Sequence, residues 1–295
     1  MEKRKEYEDH HRKVCVPDMH AHLSCLTEEY GKGLSMEQAR ALGEKELEIR
    51  TRHGIITFFS CGTPGEWEFM QKYRFPGSGE EKERDILLSF GIHPWHVDQY
   101  QPEDFIEYFR KCDAVGEIGM DSVWCDVPLP VQRRSFEQQL QIAADLHKPI
   151  VLHTKGQEEL IGEMIRGFPE NICVHWYSGD RKVFDKFLDL GCYFTCGSDM
   201  ADACVKPGME PRSHVQQETA ELYRHMLKAI PLDHLFIETD GISAVAWAKG
   251  TEYLEPEEIP LVLGENLEYA ANQKEQSGEE MANQMLRNLH YFLKR

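Results

Sequence analysis

The feature that most constrains this chain is a rhythm: eight short apolar or β-branched runs, each ending in polar or glycine residues, alternate with stretches of helical spacing. The runs predict strands over 13–20, 54–62, 85–93, 114–119, 149–153, 171–175, 192–197 and 234–239. Before the fifth run, Phe136, Leu140 and Ala143 recur at the intervals that line one side of a helix, and Val183, Phe184, Phe187 and Leu188 do so before the seventh. Helix punctuation agrees. Ser35 with Gln38 reads as a capping box, Pro102 and Pro256 suit first turns, Gly191 suits a stop, and Ser277 with Glu280 opens a last helix through Leu293. Runs too apolar to face water on one side imply an all-parallel sheet covered by helices, so the expected fold is α/β, a (β/α)8 TIM barrel. A doubly wound open sheet is the competing architecture. With no linker, repeat or low-complexity tract, one barrel domain is expected over 1–295, with a charged N-terminal extension at 1–13 and a C-terminal helix at about 278–294. Residues 77–84 read as a solvated loop, and 199–214 as a longer insertion after the seventh strand.

The polar residues then fall in one pattern. His20 and His22 end the first run, Glu117 the fourth, His153 the fifth, His175 the sixth and Asp240 the eighth. Strand C-termini of a (β/α)8 barrel converge on one face, where active sites of such enzymes are built, so residues more than 200 positions apart in sequence are expected to meet. Imidazole and carboxylate are ligands for borderline divalent metals, and four histidines with two carboxylates are enough for two ions. His20 and His22, two apart on extended backbone, point to the same side and can share an ion. Each of these residues alone has an ordinary explanation as a hydrogen-bonded core or surface group; their joint placement does not. His93, in Gly91-Ile92-His93-Pro94, is expected to support the site or contact substrate. His10, His11, His214, His225 and His290 are assigned to solvent or packing.

Composition bears on the substrate. Lys and Arg total 33 against 51 Asp and Glu, a formal charge of -18, so the surface as a whole does not attract nucleic acid. The nine cysteines are scattered without CxxC spacing, which argues against a disulfide framework or a thiolate zinc site and for a reducing cytoplasm. The charged N-terminus has no apolar core of a signal peptide, and no run is long enough to span a membrane.

The motifs Asp18-Met19-His20-Ala21-His22, Gly91-Ile92-His93-Pro94, Gly116-Glu117-Ile118-Gly119-Met120-Asp121, Pro149 to Thr154, His175-Trp176-Tyr177-Ser178-Gly179 and Glu238-Thr239-Asp240, with the Gln132, Phe136, Gln139, Ala143 helix, resemble the TatD family of metal-dependent deoxyribonucleases. The resemblance implies two divalent ions per chain, with Zn, Mn, Mg or Fe all compatible: His20, His22 and Asp240 on one, His153 and His175 on the other, Glu117 between them. It implies phosphodiester hydrolysis by a metal-activated hydroxide, with Asp240 shuttling the proton, Glu117 assisting and His93 orienting or protonating the substrate, which is DNA or another phosphoester. Lys155, at a position where the family often carries Arg, and Tyr177 and Arg212 are candidate substrate contacts; Arg181 is a further cation, and Trp95, Trp124 and Trp247 are further stacking surfaces. After Asp240 the chain departs from the family, with Gly241-Ile242-Ser243 in place of Ser-Pro-aromatic and Lys249-Gly250-Thr251-Glu252 in place of a basic segment. Lost cations reduce affinity for a phosphate backbone. Two alternatives therefore remain open: a two-metal hydrolase of a small ester, amide, lactone or phosphoester, and a non-catalytic metal-binding component of a larger assembly.

Overall fold

A computed structural model of the chain describes residues 15–23, 26, 35–74, 86–204, 217–251 and 255–294. The N-terminal extension 1–13, the loop 77–84 and Arg212 lie outside the described residues, and the insertion 199–214 is described only as far as Cys204. In chain order the elements begin β1 (Val16–Ala21), α1 (Met36–Arg52), β2 (Ile55–Cys61), α2 (Pro64–Arg74), β3 (Ile86–Phe90), α3 (Ile106–Lys111), β4 (Ala114–Asp121) and α4 (Leu129–Asp145). They continue β5 (Ile150–Lys155), α5 (Glu158–Met164), β6 (Ile172–Val174), α6 (Arg181–Asp189), β7 (Tyr193–Cys196), α7 (Met200–Ala203), α8 (Gln217–Ala229) and β8 (Leu235–Ile237). Three helices finish the chain: α9 (Ile242–Ala248), α10 (Ile259–Gln273) and α11 (Gly278–Phe292). The strands share one eight-stranded sheet in the order β1 to β8. This is the expected (β/α)8 barrel and not a doubly wound sheet, whose strand order reverses at a switch point.

The chain divides into two compact units, Met1–Phe58 with Cys196–Leu289, and Phe59–Thr195 with His290–Arg295. In the first, α1 opens on the expected capping box: Ser35 Oγ accepts the Gln38 N–H at 3.2 Å and the Gln38 side chain accepts the Ser35 N–H at 2.8 Å. The helix carries Arg50 into the interior. There its guanidinium donates to Asp18 Oδ2 at 2.6 Å and Glu46 Oε1 at 3.0 Å. Asp18 in turn accepts the Thr239 hydroxyl at 2.6 Å and the Thr239 N–H at 2.8 Å, and the Asp240 N–H donates to His20 O at 2.9 Å. The start and end of the strand series are therefore fastened to each other by side chain and by backbone. Asn266 on α10 donates to the carbonyls of Gly197 and Ser198, and Asn288 on α11 to those of Leu232 and Leu235, so buried amides satisfy backbone that the ladders leave over.

In the second unit the pairings from β3 to β7 are parallel. Beyond the expected end at 119, β4 continues with Met120 opposite Thr154 and Asp121 opposite Lys155. Its register shifts between Val115 and Ile118, the place occupied by Gly116 and Glu117. Helix α4 packs its apolar side here through Phe136 and Ala143 and also sends in two glutamines. Gln139 accepts the Ile92 N–H at 2.7 Å and donates to Ile92 O at 3.0 Å; Gln132 does the same for Asp121, at 2.8 and 2.9 Å. Each amide clamps one residue of loop or strand end, next to His93 in one case and at the tip of β4 in the other. Ser277 and Glu280 cap α11 as expected. Among the described residues no helix is long and apolar enough to cross a membrane.

Candidate metal centre

In the first unit, β1 brings His20 and His22 to one side, as two-residue spacing on extended backbone requires. Their Nε2 atoms stand 3.3 Å apart. Asp240 follows β8 in a left-handed backbone conformation, φ 57°, which turns its carboxylate to lie 3.4 Å from His20 Nε2 and 3.6 Å from His22 Nε2. Gly241 makes this turn feasible: its φ is +85°, and a Cβ there would sit 2.4 Å from the carbonyl oxygen of His22. His20 is fully enclosed, whereas Asp240 keeps 21% of its side chain open to solvent. A triangle with edges of 3.3, 3.4 and 3.6 Å has its centre about 2.0 Å from every corner, which is the bond length from zinc to imidazole nitrogen or carboxylate oxygen. Three neutral or anionic donors converging at this spacing fit a divalent cation.

In the second unit, Glu117 is the hub. Its Oε1 lies 2.5 Å from His153 Nδ1, 2.7 Å from His175 Nε2 and 3.7 Å from His93 Nε2. His93, Glu117 and His153 together form a cluster of metal-type donors. The donor chemistry fits a cation, but the two short contacts are hydrogen-bond lengths, tighter than the edges of the first set. Gly119 permits the approach of β5: with φ +152°, a Cβ there would fall 2.0 Å from His153 O. The other His153 nitrogen, Nε2, is 3.0 Å from Asp121 Oδ2. A carboxylate on the far nitrogen fixes ring orientation and aims the near one, the usual support for a ligating imidazole. Burial acts to raise the Asp121 pKa, but hydrogen bonds from His153, the Trp124 N–H and the Trp95 indole outweigh it and hold the carboxyl well below the usual range.

His93 caps the short turn Pro94–His96, its Nδ1 accepting the Trp95 N–H at 3.3 Å. With Nδ1 an acceptor, the proton of the neutral ring sits on Nε2, on the side of Glu117.

The expectation that all six donors sit at strand ends needs correction. Glu117 and His153 lie within β4 and β5, four and two residues before their last positions, because the β4–β5 ladder runs on past them to Asp121 and Lys155. Tyr177 is also corrected. It is buried against Phe184, Phe187 and Phe194, its hydroxyl donating to Asp180 O at 2.6 Å, so its ring is core and offers no face to a base. Burial pushes its phenol far above the usual range. Lys155 is buried too, donating to Trp176 O at 2.8 Å and Ser178 Oγ at 3.0 Å. Arg181 is the first residue of α6 and is exposed.

Three residues were not singled out from the sequence. Asp121 and Asp18 belong to the same alternation as the donors, at Glu117 plus four and His20 minus two, which on extended backbone is the same side. That spacing was the available signal. Arg50, the cation beside Asp18, had none, because a lone arginine on a helix normally reads as solvated.

Comparison with known proteins agrees with this architecture. Over 169 residues the chain is 31% identical to the human 3'-5' RNA nuclease TATDN2, a match covering 54% of this chain but only 20% of that protein's length. It is 28% identical over 216 residues to the uncharacterized metal-dependent hydrolase YcfH of Escherichia coli K12, covering 68% of this chain and 71% of YcfH. The crystal structure of YjjV, a TatD homologue from Escherichia coli, superposes with a TM-score of 0.68 over 95% of this chain and 98% of that one, at 18% identity, which supports the fold. The model of the family described as TatD related DNase matches residues 17–294, and the chain belongs to that family.

Proposed function

We propose that this protein is a divalent-metal-dependent hydrolase that cleaves phosphodiester bonds of nucleic acid. The observation that carries the reading is the His20, His22, Asp240 triangle with edges of 3.3 to 3.6 Å, together with membership of a family described as DNases. His20, His22 and Asp240 would hold one ion, and Glu117, His153 and His175 a second. Divalent ions at these donors would supply Lewis-acid chemistry, lowering the pKa of water and polarising a phosphoryl oxygen. Asp240, partly open to solvent, would accept the proton of the attacking water on its carboxylate. His93 would donate a hydrogen bond from Nε2 to a phosphoryl oxygen and so orient the substrate. Asp121 keeps the His153 ring in place throughout.

A second reading, a small phosphoester as substrate, is favoured by the formal charge of -18 and by the inward ties of Lys155. A reducing, cytoplasmic location and a single functional barrel over 1–295 accompany both readings. The test is cleavage of single-stranded DNA, duplex DNA and RNA with added Mg, Mn or Zn, by wild type beside Glu117→Ala and Asp240→Ala. The variants are expected to lose about hundredfold or more in kcat. Equal activity in all three proteins refutes the site; turnover of small phosphoesters alone favours the second reading.

A further inference from the structure

Two large indoles stand in water beside the second donor set. Trp95 is 44% exposed and Trp124 57% exposed. Neither is loosely held. The Trp95 indole N–H donates to Asp121 Oδ2 at 2.9 Å, while Asp121 Oδ1 accepts the N–H groups of Val123 at 2.7 Å and Trp124 at 2.9 Å. One buried carboxylate thus fixes the edge of one ring and the backbone of the other, leaving ring surface in solvent. The same Oδ2 lies 3.0 Å from His153 Nε2. The Trp95 ring is 5.2 Å from that of His93, which is 4.7 Å from that of His153. On the Trp124 side, Lys155 Nζ lies 5.6 Å from the ring centroid.

We propose that Trp95 and Trp124 are a stacking platform for a nucleobase, and that they give the enzyme its preference for substrates carrying a base beside the cleaved phosphate. The proposal rests on the nuclease reading above. Fixed, solvent-exposed aromatic faces next to reacting groups suit the π-face that every base presents, without reading its edges. The overall charge makes such a platform necessary: at -18, the surface gains little from phosphate attraction, and stacking supplies affinity that does not depend on charge. Pinning also reduces the entropy lost when a base settles on the ring.

The test uses the full chain with added divalent metal and two single-stranded oligonucleotides of equal length and charge, one with normal bases and one with tetrahydrofuran abasic units throughout. Wild type is expected to favour the first in kcat/KM, and Trp95→Ala and Trp124→Ala each to reduce that ratio by about five- to 150-fold. Trp124→Phe, which keeps a ring, is expected to restore most of the ratio. No preference in wild type, or an unchanged ratio in both alanine variants, overturns the platform. If wild type cleaves neither oligonucleotide, the nuclease reading fails, and binding still decides the platform. Tryptophan fluorescence quenched by the base-bearing oligonucleotide, and less so in the alanine variants, supports it; no quenching in wild type overturns it.

Discussion

Replacing Arg50 with Met tests whether the first donor set depends on the buried charges behind it. Asp18 and Glu46 are fully enclosed, and Arg50 is 2% exposed. Burial alone would lower the Arg50 pKa, but its two carboxylate neighbours more than reverse this and raise it. Arg50→Met keeps a long apolar side chain and removes the cation, leaving two carboxylates in a dry interior. Removing one partner of a buried ion pair costs about 3–5 kcal/mol, and here two anions lose the same partner, so the upper half of that range is expected. Asp18→Asn leaves Arg50 paired with Glu46 and forfeits a charge-assisted hydrogen bond, about 1.5–3 kcal/mol. The double variant should cost less than the sum, because only one buried carboxylate then lacks its cation. Urea unfolding followed by circular dichroism at neutral pH measures all three. Asp18 stands two residues before His20, and Thr239 one before Asp240, so Asp18→Asn is also expected to weaken metal binding by about tenfold. A cost below about 1 kcal/mol for Arg50→Met, or a larger one for Asp18→Asn, refutes the reasoning.

Two further predictions follow from local geometry. Gly241→Ala places a methyl 2.4 Å from His22 O at a φ of +85°, where the obstacle is backbone, so it should destabilise by more than about 1 kcal/mol and weaken metal binding, both measurable on one preparation. Glu280 accepts the N–H and hydroxyl of Ser277 at the start of α11, and these bonds lower its pKa. A carboxylate depressed on folding adds stability above its unfolded value, about 4.3, and loses it as pH falls through the folded one. Glu280→Gln should therefore flatten the fall in stability of wild type between about pH 5 and pH 3.

Much of this site was legible because period-two alternation and strand ends are local properties. His20 and His22 declared themselves by spacing, and the capping boxes at Ser35 and Ser277 by four-residue patterns. What escaped depends on distant partners. Nothing local to Arg50 says that Asp18, 32 positions earlier, needs a cation. Tyr177 was misread for a related reason: its motif is polar, but the faces of Phe184, Phe187 and Phe194 that enclose it come from α6 and β7. The extension of β4 and β5 past Glu117 and His153 is likewise a property of the pair, since each strand's last residues are held by the other.

The two donor sets differ in readiness, and the difference predicts an order of filling. Around His20, His22 and Asp240 the edges already match an ion with bonds of about 2.0 Å. Around Glu117 they do not: at 2.5 Å its Oε1 is hydrogen-bonded to His153 Nδ1, with His175 Nε2 at 2.7 Å, and an ion entering there must first part the hydrogen bond to His153. That charge-assisted bond contributes about 1.5–3 kcal/mol, so the second set should bind more weakly than the first, by about tenfold or more. Calorimetric titration of metal-stripped protein with zinc or manganese should then show two unequal steps. His175→Ala should remove the weaker step and spare the tighter, and Asp240→Ala should do the reverse. A single step in wild type, or loss of the tighter step in His175→Ala, would show that the geometry of the first set does not determine its affinity.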